Sequence, residues 1–176
     1  MADKREKEFL QAYEKYADDI YRHCYFRVYS KQLAEDITQE TFIKTWKYIS
    51  DGKEVKNIKS FLYRVAVNLI IDYSRKKKEM YLEDVAKKES ADSIRLTNMG
   101  HQEAIFAHFE AQEIVKLLDE LPDSQKQVMV LRYVDEIMPA EIAEILGETA
   151  NAISVRINQA TAKLREIIKE KHERRN

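Results

Sequence analysis

"MPAEIAEILGETANAISVRINQATAKLREIIK", residues 138–169, decides the fold class. Pro139 can open a short helix, because its fixed φ suits the first helical position and its missing N–H is not needed there. Gly147 can end that helix in the left-handed conformation, and Thr149 can cap a second, longer helix. Helix, glycine turn and helix at this spacing form a helix-turn-helix signature. On a helical projection of the second helix, Ile153, Ile157, Ala160, Leu164 and Ile167 fall on one side, with Asn151, Ser154, Val155, Asn158 and Gln159 over the remaining arc. The first set is a core face. The second offers amides, a hydroxyl and an apolar contact of the kind the DNA major groove takes, and Arg156 and Lys163 flank it where phosphates could be neutralised. A solvated polar face is an equal reading of these residues alone, since helix-turn-helix geometry also occurs in proteins that bind no DNA.

Outward from this stretch the helical pattern persists. Only 3 Gly and 2 Pro in 176 residues leave little turn chemistry for a sheet, so the expected class is all-α. "AQEIVKLLDEL", residues 111–121, reads as a helix stopped by Pro122, and Asp123 or Ser124 can cap the next one, at 124–136. Near the N-terminus, Phe9, Ala12, Tyr13, Tyr16, Ile20, Cys24 and Val28 recur at helical intervals over residues 8–29. A second helix is expected over 32–49 with Ile37, Thr41, Ile43, Trp46 and Ile49 buried, then a turn at Asp51 and Gly52, then a third helix from Lys59 or Ser60. Residues 79–110 turn polar and acidic, and their periodicity resumes only near His101. They read as a flexible linker with a helical far end, giving two small domains at 1–80 and 111–176 joined by 81–110.

Composition excludes more than it identifies. A net charge of -1 with 35% charged residues says nothing about nucleic acid until the charges are placed along the chain. The single Cys24 cannot form an internal disulfide and suits a core position in a reducing cytoplasm. No apolar segment approaches the length of a membrane span or a signal peptide, so a cytoplasmic chain without membrane insertion is expected. Histidines 23, 101, 108 and 172 show no metal-ligand spacing, and neither a phosphate loop nor a nucleophile elbow is present. No cofactor, metal or catalytic residue is expected.

The charges concentrate in one place. In "FLYRVAVNLIIDYSRKKK", residues 61–78, Phe61, Leu62, Val65, Leu69 and Tyr73 form an apolar stripe, while Arg64, Asn68, Ile71 and Arg75 share another face. The unbroken block Arg75, Lys76, Lys77 and Lys78 follows. Basic residues beside Phe61, Tyr63 and Tyr73 suit melted nucleic acid, whose bases can leave the stack; a solvated helix end is the plain alternative. Upstream, Asp36, Gln39 and Glu40 lie within about a turn of one another, with Trp46 beyond. No base or metal accompanies these carboxylates, so an interaction face fits them better than a catalytic one.

Taken in order, "LAEDITQETFIKTW", "SFLYRVAVNLIIDYSRKKK" and "LDELPDSQKQVMVLRYVDEIMPAEIAEILG" with the helix after it resemble the extracytoplasmic-function sigma factors of bacterial RNA polymerase. The resemblance implies that Asp36, Gln39, Glu40 and Trp46 dock on core polymerase. It implies that Asn57, Lys59, Phe61, Arg64 and Asn68 shape a pocket for a flipped base of the minus-ten element, and that Arg75, Lys76, Lys77 and Lys78 hold backbone phosphates. Ser154, Val155, Arg156, Asn158, Gln159 and Lys163 would meet the minus-thirty-five element of promoter DNA. Family members usually carry several basic residues where this chain has Ser154, Asn158, Gln159 and Thr161, which implies fewer released counterions and a weaker salt dependence for this unit. The implied chain is monomeric when free and held by an anti-sigma factor. Two alternatives remain at this point: a sigma-like polymerase-binding regulator without promoter-specific initiation, and a stand-alone repressor, which would need a dimer to read paired half-sites.

Overall fold

The computed structural model describes residues 4–84 and 112–174, whose regular structure is entirely helical. Helix α1 runs over Lys4–Val28, α2 over Lys31–Ser50 and α3 over Ile58–Asp84. After α4, at residues 112–119, come α5 (Asp123–Met129), a π-helical segment (Val130–Val134), α6 (Pro139–Leu146) and α7 (Ala150–Glu173). No described helix is long and apolar enough to cross a membrane. Residues 81–84 of the expected linker complete α3, since nothing after Lys78 breaks a helix there. The rest of that linker and its helical far end lie outside the described residues.

Local signals set the helix ends. Ser30 accepts a hydrogen bond from Leu33 N and caps α2; Thr149 accepts one from Ala152 N and caps α7. Gly147, at φ 68°, closes α6 in the left-handed conformation that only glycine adopts freely. Neither Asp123 nor Ser124 caps α5: the Pro122 carbonyl accepts from Gln125 N and Lys126 N at 2.9 Å each. The widened turn after α5 has no counterpart in the periodicity of the sequence. Asp135 N donates to Val130 O at 3.0 Å, five residues back, and Glu136 follows at φ 57°. This bulge turns Asp135 and Ile137 inward, and both are buried.

Helices α1, α2 and α3 pack on one another around Ile20, Ile37, Leu62 and Ile70; α5, the π segment, α6 and α7 pack around Leu131, Ile142, Ile145 and Ile153. The two groups also meet, α3 against α6 and α1 against the π segment, so their buried residues form one continuous cluster. Three expected positions differ. Ile43 is 66% exposed, because α2 turns Phe42 and Thr45 inward instead. Tyr63 is only 1% exposed, set edge-on to His23 at 5.4 Å, and is thereby removed from any stacking role. Tyr73, expected in the core, is 41% exposed.

Cys24 is fully buried, and burial pushes its thiol up from 9.0 to about 12, with the Asp135 carboxylate adding to the rise and a bond to Thr38 opposing it. The folded chain therefore keeps this thiol neutral where the unfolded chain ionises it. The contribution of Cys24 to stability is complete below pH 9.0 and is lost progressively as the pH rises towards about 12. Urea unfolding at neutral pH and near pH 10 should show this loss, and Cys24→Ala should remove it.

Candidate nucleic-acid interface

The antiparallel packing of α2 and α3 brings the last turns of one against the first turns of the other. Lys44 and Tyr48 of α2 face Phe61, Val65, Asn68, Leu69 and Asp72 of α3 across an open cavity of about 230 Å³. That equals several times the ~30 Å³ a water molecule occupies in the liquid. Tyr48 and Phe61 form its aromatic wall, ring centroids 4.8 Å apart and planes tilted by 41°. Lys53, from the loop between the helices, lies over the Tyr48 ring at 4.9 Å. An aromatic wall, an amide, a carboxylate and two cations are the equipment for holding a planar heterocycle by its face and its polar edge.

Of the five residues expected to shape a base pocket, Phe61 and Asn68 line this cavity and the other three are engaged elsewhere. Asn57 caps α3, its Oδ1 accepting from Ser60 N at 3.1 Å. Lys59 pairs with Glu141 of α6 at 3.3 Å. Arg64 donates from Nε to the Ile145 carbonyl at 3.3 Å and from Nη2 to the Glu144 carbonyl, placing a cation at the negative end of α6. Lys44, Tyr48 and Asp72 are additional lining residues. Their signal was present as helical spacing, with 44 and 48 one turn apart on α2 and 61, 65, 68 and 72 on one face of α3. Beyond the cavity, Arg75 pairs with Asp72 at 3.5 Å, and Lys76, Lys77 and Lys78 are exposed along the same helix.

A second surface lies on the outer side of α2. Asp36 and Gln39 are exposed, Glu40 is half-exposed, and Ile43 stands one further turn along the same face. Asp36 accepts from Gln32 at 3.3 Å and Glu40 pairs with Lys44 at 3.2 Å, so both carboxylates are held by local partners that solvent can replace. Trp46 is half-buried against Phe9, ring centroids 5.1 Å apart, and supports the face from behind.

The third surface is α7. Val155, Asn158, Gln159 and Lys163 are exposed and Ser154 is half-buried, opposite the buried Ile153, Ile157 and Ala160. Arg156 bonds bidentately to Glu148 in the turn, Nη1 donating to Oε1 at 2.9 Å. This cation is thereby partly neutralised within its own unit.

Comparison with known proteins identifies the family of the chain. The sigma-70 region 2 family model matches residues 12–80 and the sigma-70 region 4 model residues 111–164. The ECF RNA polymerase sigma factor SigW of Bacillus subtilis is 32% identical over 170 residues, covering 92% of this chain and 89% of that protein. SigM of the same organism, another ECF sigma factor, is 32% identical over 141 residues, 78% of this chain and 80% of its own. Among solved structures, the sigma factor RpoE of Bartonella quintana, crystallised with the anti-sigma factor NepR, superposes with a TM-score of 0.71 at 21% identity, over 93% of this chain and 98% of its own. With region 2 and region 4 in sequence and close relatives covered almost end to end, this chain belongs to the ECF sigma factors, the transcription-initiation factors of bacterial RNA polymerase.

Proposed function

We propose that the chain works as a two-unit promoter reader: 1–80 docks on core polymerase and captures the melted minus-ten strand, 81–110 connects, and 111–176 meets the minus-thirty-five duplex. The observation that carries this reading is the aromatic-lined cavity between α2 and α3, set at the foot of a basic helix. A base extruded from the non-template strand would stack on Phe61 and Tyr48, with Asn68 and Asp72 at its edge. Lys76, Lys77 and Lys78 would follow the backbone beyond it. Strand opening on this account is differential binding, because the cavity holds an unpaired base that the duplex cannot offer, and no covalent chemistry is involved. Core polymerase would meet Asp36, Gln39, Glu40 and Ile43, with Trp46 as support. Ser154, Val155, Asn158, Gln159 and Lys163 would face the duplex, and Arg156 would have to leave Glu148 to reach a phosphate.

An anti-sigma factor is a further proposed partner, supported by the co-crystal of RpoE with NepR. The free protein on this reading is a cytoplasmic monomer. Its test is run-off transcription by core polymerase on fragmented genomic DNA, with and without the chain. New RNA 5′ ends sharing an upstream pair of motifs are expected. Binding to core without new starts would favour the regulator reading, for which the neutralised Arg156 is the supporting observation.

A further inference from the structure

The loop that joins α2 to α3 borders two cavities. The first is the aromatic-walled one of about 230 Å³; the second lies between the loop and the first turns of α1 and holds about 440 Å³. Its wall is apolar, made by Phe9, Ile49, Val55 and Ile58, all half-buried. Phe9 is fixed there by Trp46 and Phe42, ring centroids 5.1 and 6.2 Å away, so the wall is formed in advance of any occupant. The rim is charged. Arg5, Lys53 and Lys56 stand exposed on it, and among the described residues none of the three forms an ion pair. Arg5 reaches over the turn, its Nη1 lying 4.0 Å from the point that a β-carbon at Gly52 would occupy. Glu8 and Glu54 share the rim, Glu8 beside Lys4 at 3.8 Å.

Lys53 belongs to both cavities. Its Nζ stands over the ring of Tyr48, which walls the first, and the residue also lines the second. The cations therefore continue past the first cavity on both sides. Lys76, Lys77 and Lys78 lie towards the C-terminal end of α3, and Lys53, Lys56 and Arg5 gather at its N-terminal end. A strand seated on Phe61 and laid along the basic block in one direction runs onto these three cations in the other. An apolar slot ringed by cations takes a base by its faces and the flanking phosphates by charge, while Glu8 and Glu54 supply acceptors for an exocyclic amine. We propose that the second cavity captures another unpaired base of the same single strand, a few nucleotides from the first, with Arg5, Lys53 and Lys56 on the phosphates between them. The inference rests on the reading of the first cavity as the minus-ten site. Two captured bases hold the strand at two points, so that re-pairing requires both to leave, and the melted state gains a second contact that the duplex cannot make.

The test uses the full chain assembled with core polymerase and a fluorescein-labelled non-template-strand oligonucleotide carrying the minus-ten motif found at the run-off starts. Abasic sites are introduced one position at a time, and affinity is read by anisotropy. Two separate positions are expected at which loss of the base weakens binding by about fivefold or more. Phe61→Ala should erase the sensitivity at one of them, and Val55→Trp, which fills the second cavity, at the other. Arg5→Ala changes an exposed side chain outside the apolar wall, so folding is spared. It should lower the log–log salt slope of binding by ~0.7, the value for one phosphate contact on a single strand. A single sensitive position would overturn the proposal, as would two positions that Val55→Trp leaves untouched, or an unchanged salt slope in Arg5→Ala. If Val55→Trp weakens binding to core polymerase while the abasic profile stays the same, the cavity is a polymerase contact and the proposal falls. Run-off without new starts would remove the minus-ten reading and this inference together, whereas new starts with one sensitive position remove this inference alone.

Discussion

Phe61→Ala is expected to lower promoter-specific initiation by about tenfold to a hundredfold while leaving the affinity for core polymerase unchanged. Alanine removes the ring that forms one wall of the cavity, and stacking of a base on an aromatic side chain is worth ~1–3 kcal/mol. The defect should be largest on a fully duplex promoter, where capture of the extruded base supplies part of the free energy of opening. On a template already mismatched across the minus-ten region, most of the activity should return. Phe61 is half-buried against Tyr48, so Phe61→Leu, which fills much of the same volume without a flat face, separates loss of stacking from loss of packing. An equal defect on duplex and pre-melted templates would place Phe61 outside strand capture.

The second large effect belongs to α2. The double substitution Asp36→Arg, Glu40→Arg should weaken binding to core polymerase by about two orders of magnitude, since like charge placed across a complementary interface costs several kcal/mol. Folding should barely respond. Both side chains lie on the solvent side of α2, with local partners worth only tenths of a kcal/mol each, so the thermal midpoint is expected to move by no more than a few degrees. Competition against labelled wild-type chain for core, read by fluorescence anisotropy, gives the affinity directly. Unchanged competition would remove this face from the docking surface. An affinity loss matched by a collapse in thermal stability would show instead that the two carboxylates matter to the helix.

The sequence made some of this legible because some of its signals are local. Pro139, Gly147 and Thr149 mark the ends of α6 and α7 by conformational preferences that operate within three or four residues, and the structure places the turn where they do. Periodicity fared less evenly. It says which residues share a face of a helix and leaves open which face is covered: α2 is apolar enough on two sides that Ile43 could be assigned inward when Phe42 takes that place. Tyr63 shows the same limit, since its spacing does not reveal that His23 of α1 covers it in the fold. The π segment leaves no trace in an apolar run that suits an ordinary helix equally well, and the His23–Asp135 pair joins residues 112 positions apart. Lys59 and Arg64 were recognised as cations on a basic surface, but their engagement with α6 depends on a docking geometry that no spacing encodes.

That engagement bears on how the protein would be distributed inside a cell. A chromosome offers roughly a million to a billion sites at which any cationic surface can bind without regard to sequence. A factor that displayed all its positive charge while free would be titrated onto this excess, and little would remain to meet polymerase. Folding Lys59 and Arg64 against α6 and Arg156 against Glu148 leaves fewer cations to release counterions, and so lowers affinity for bulk DNA before polymerase arrives.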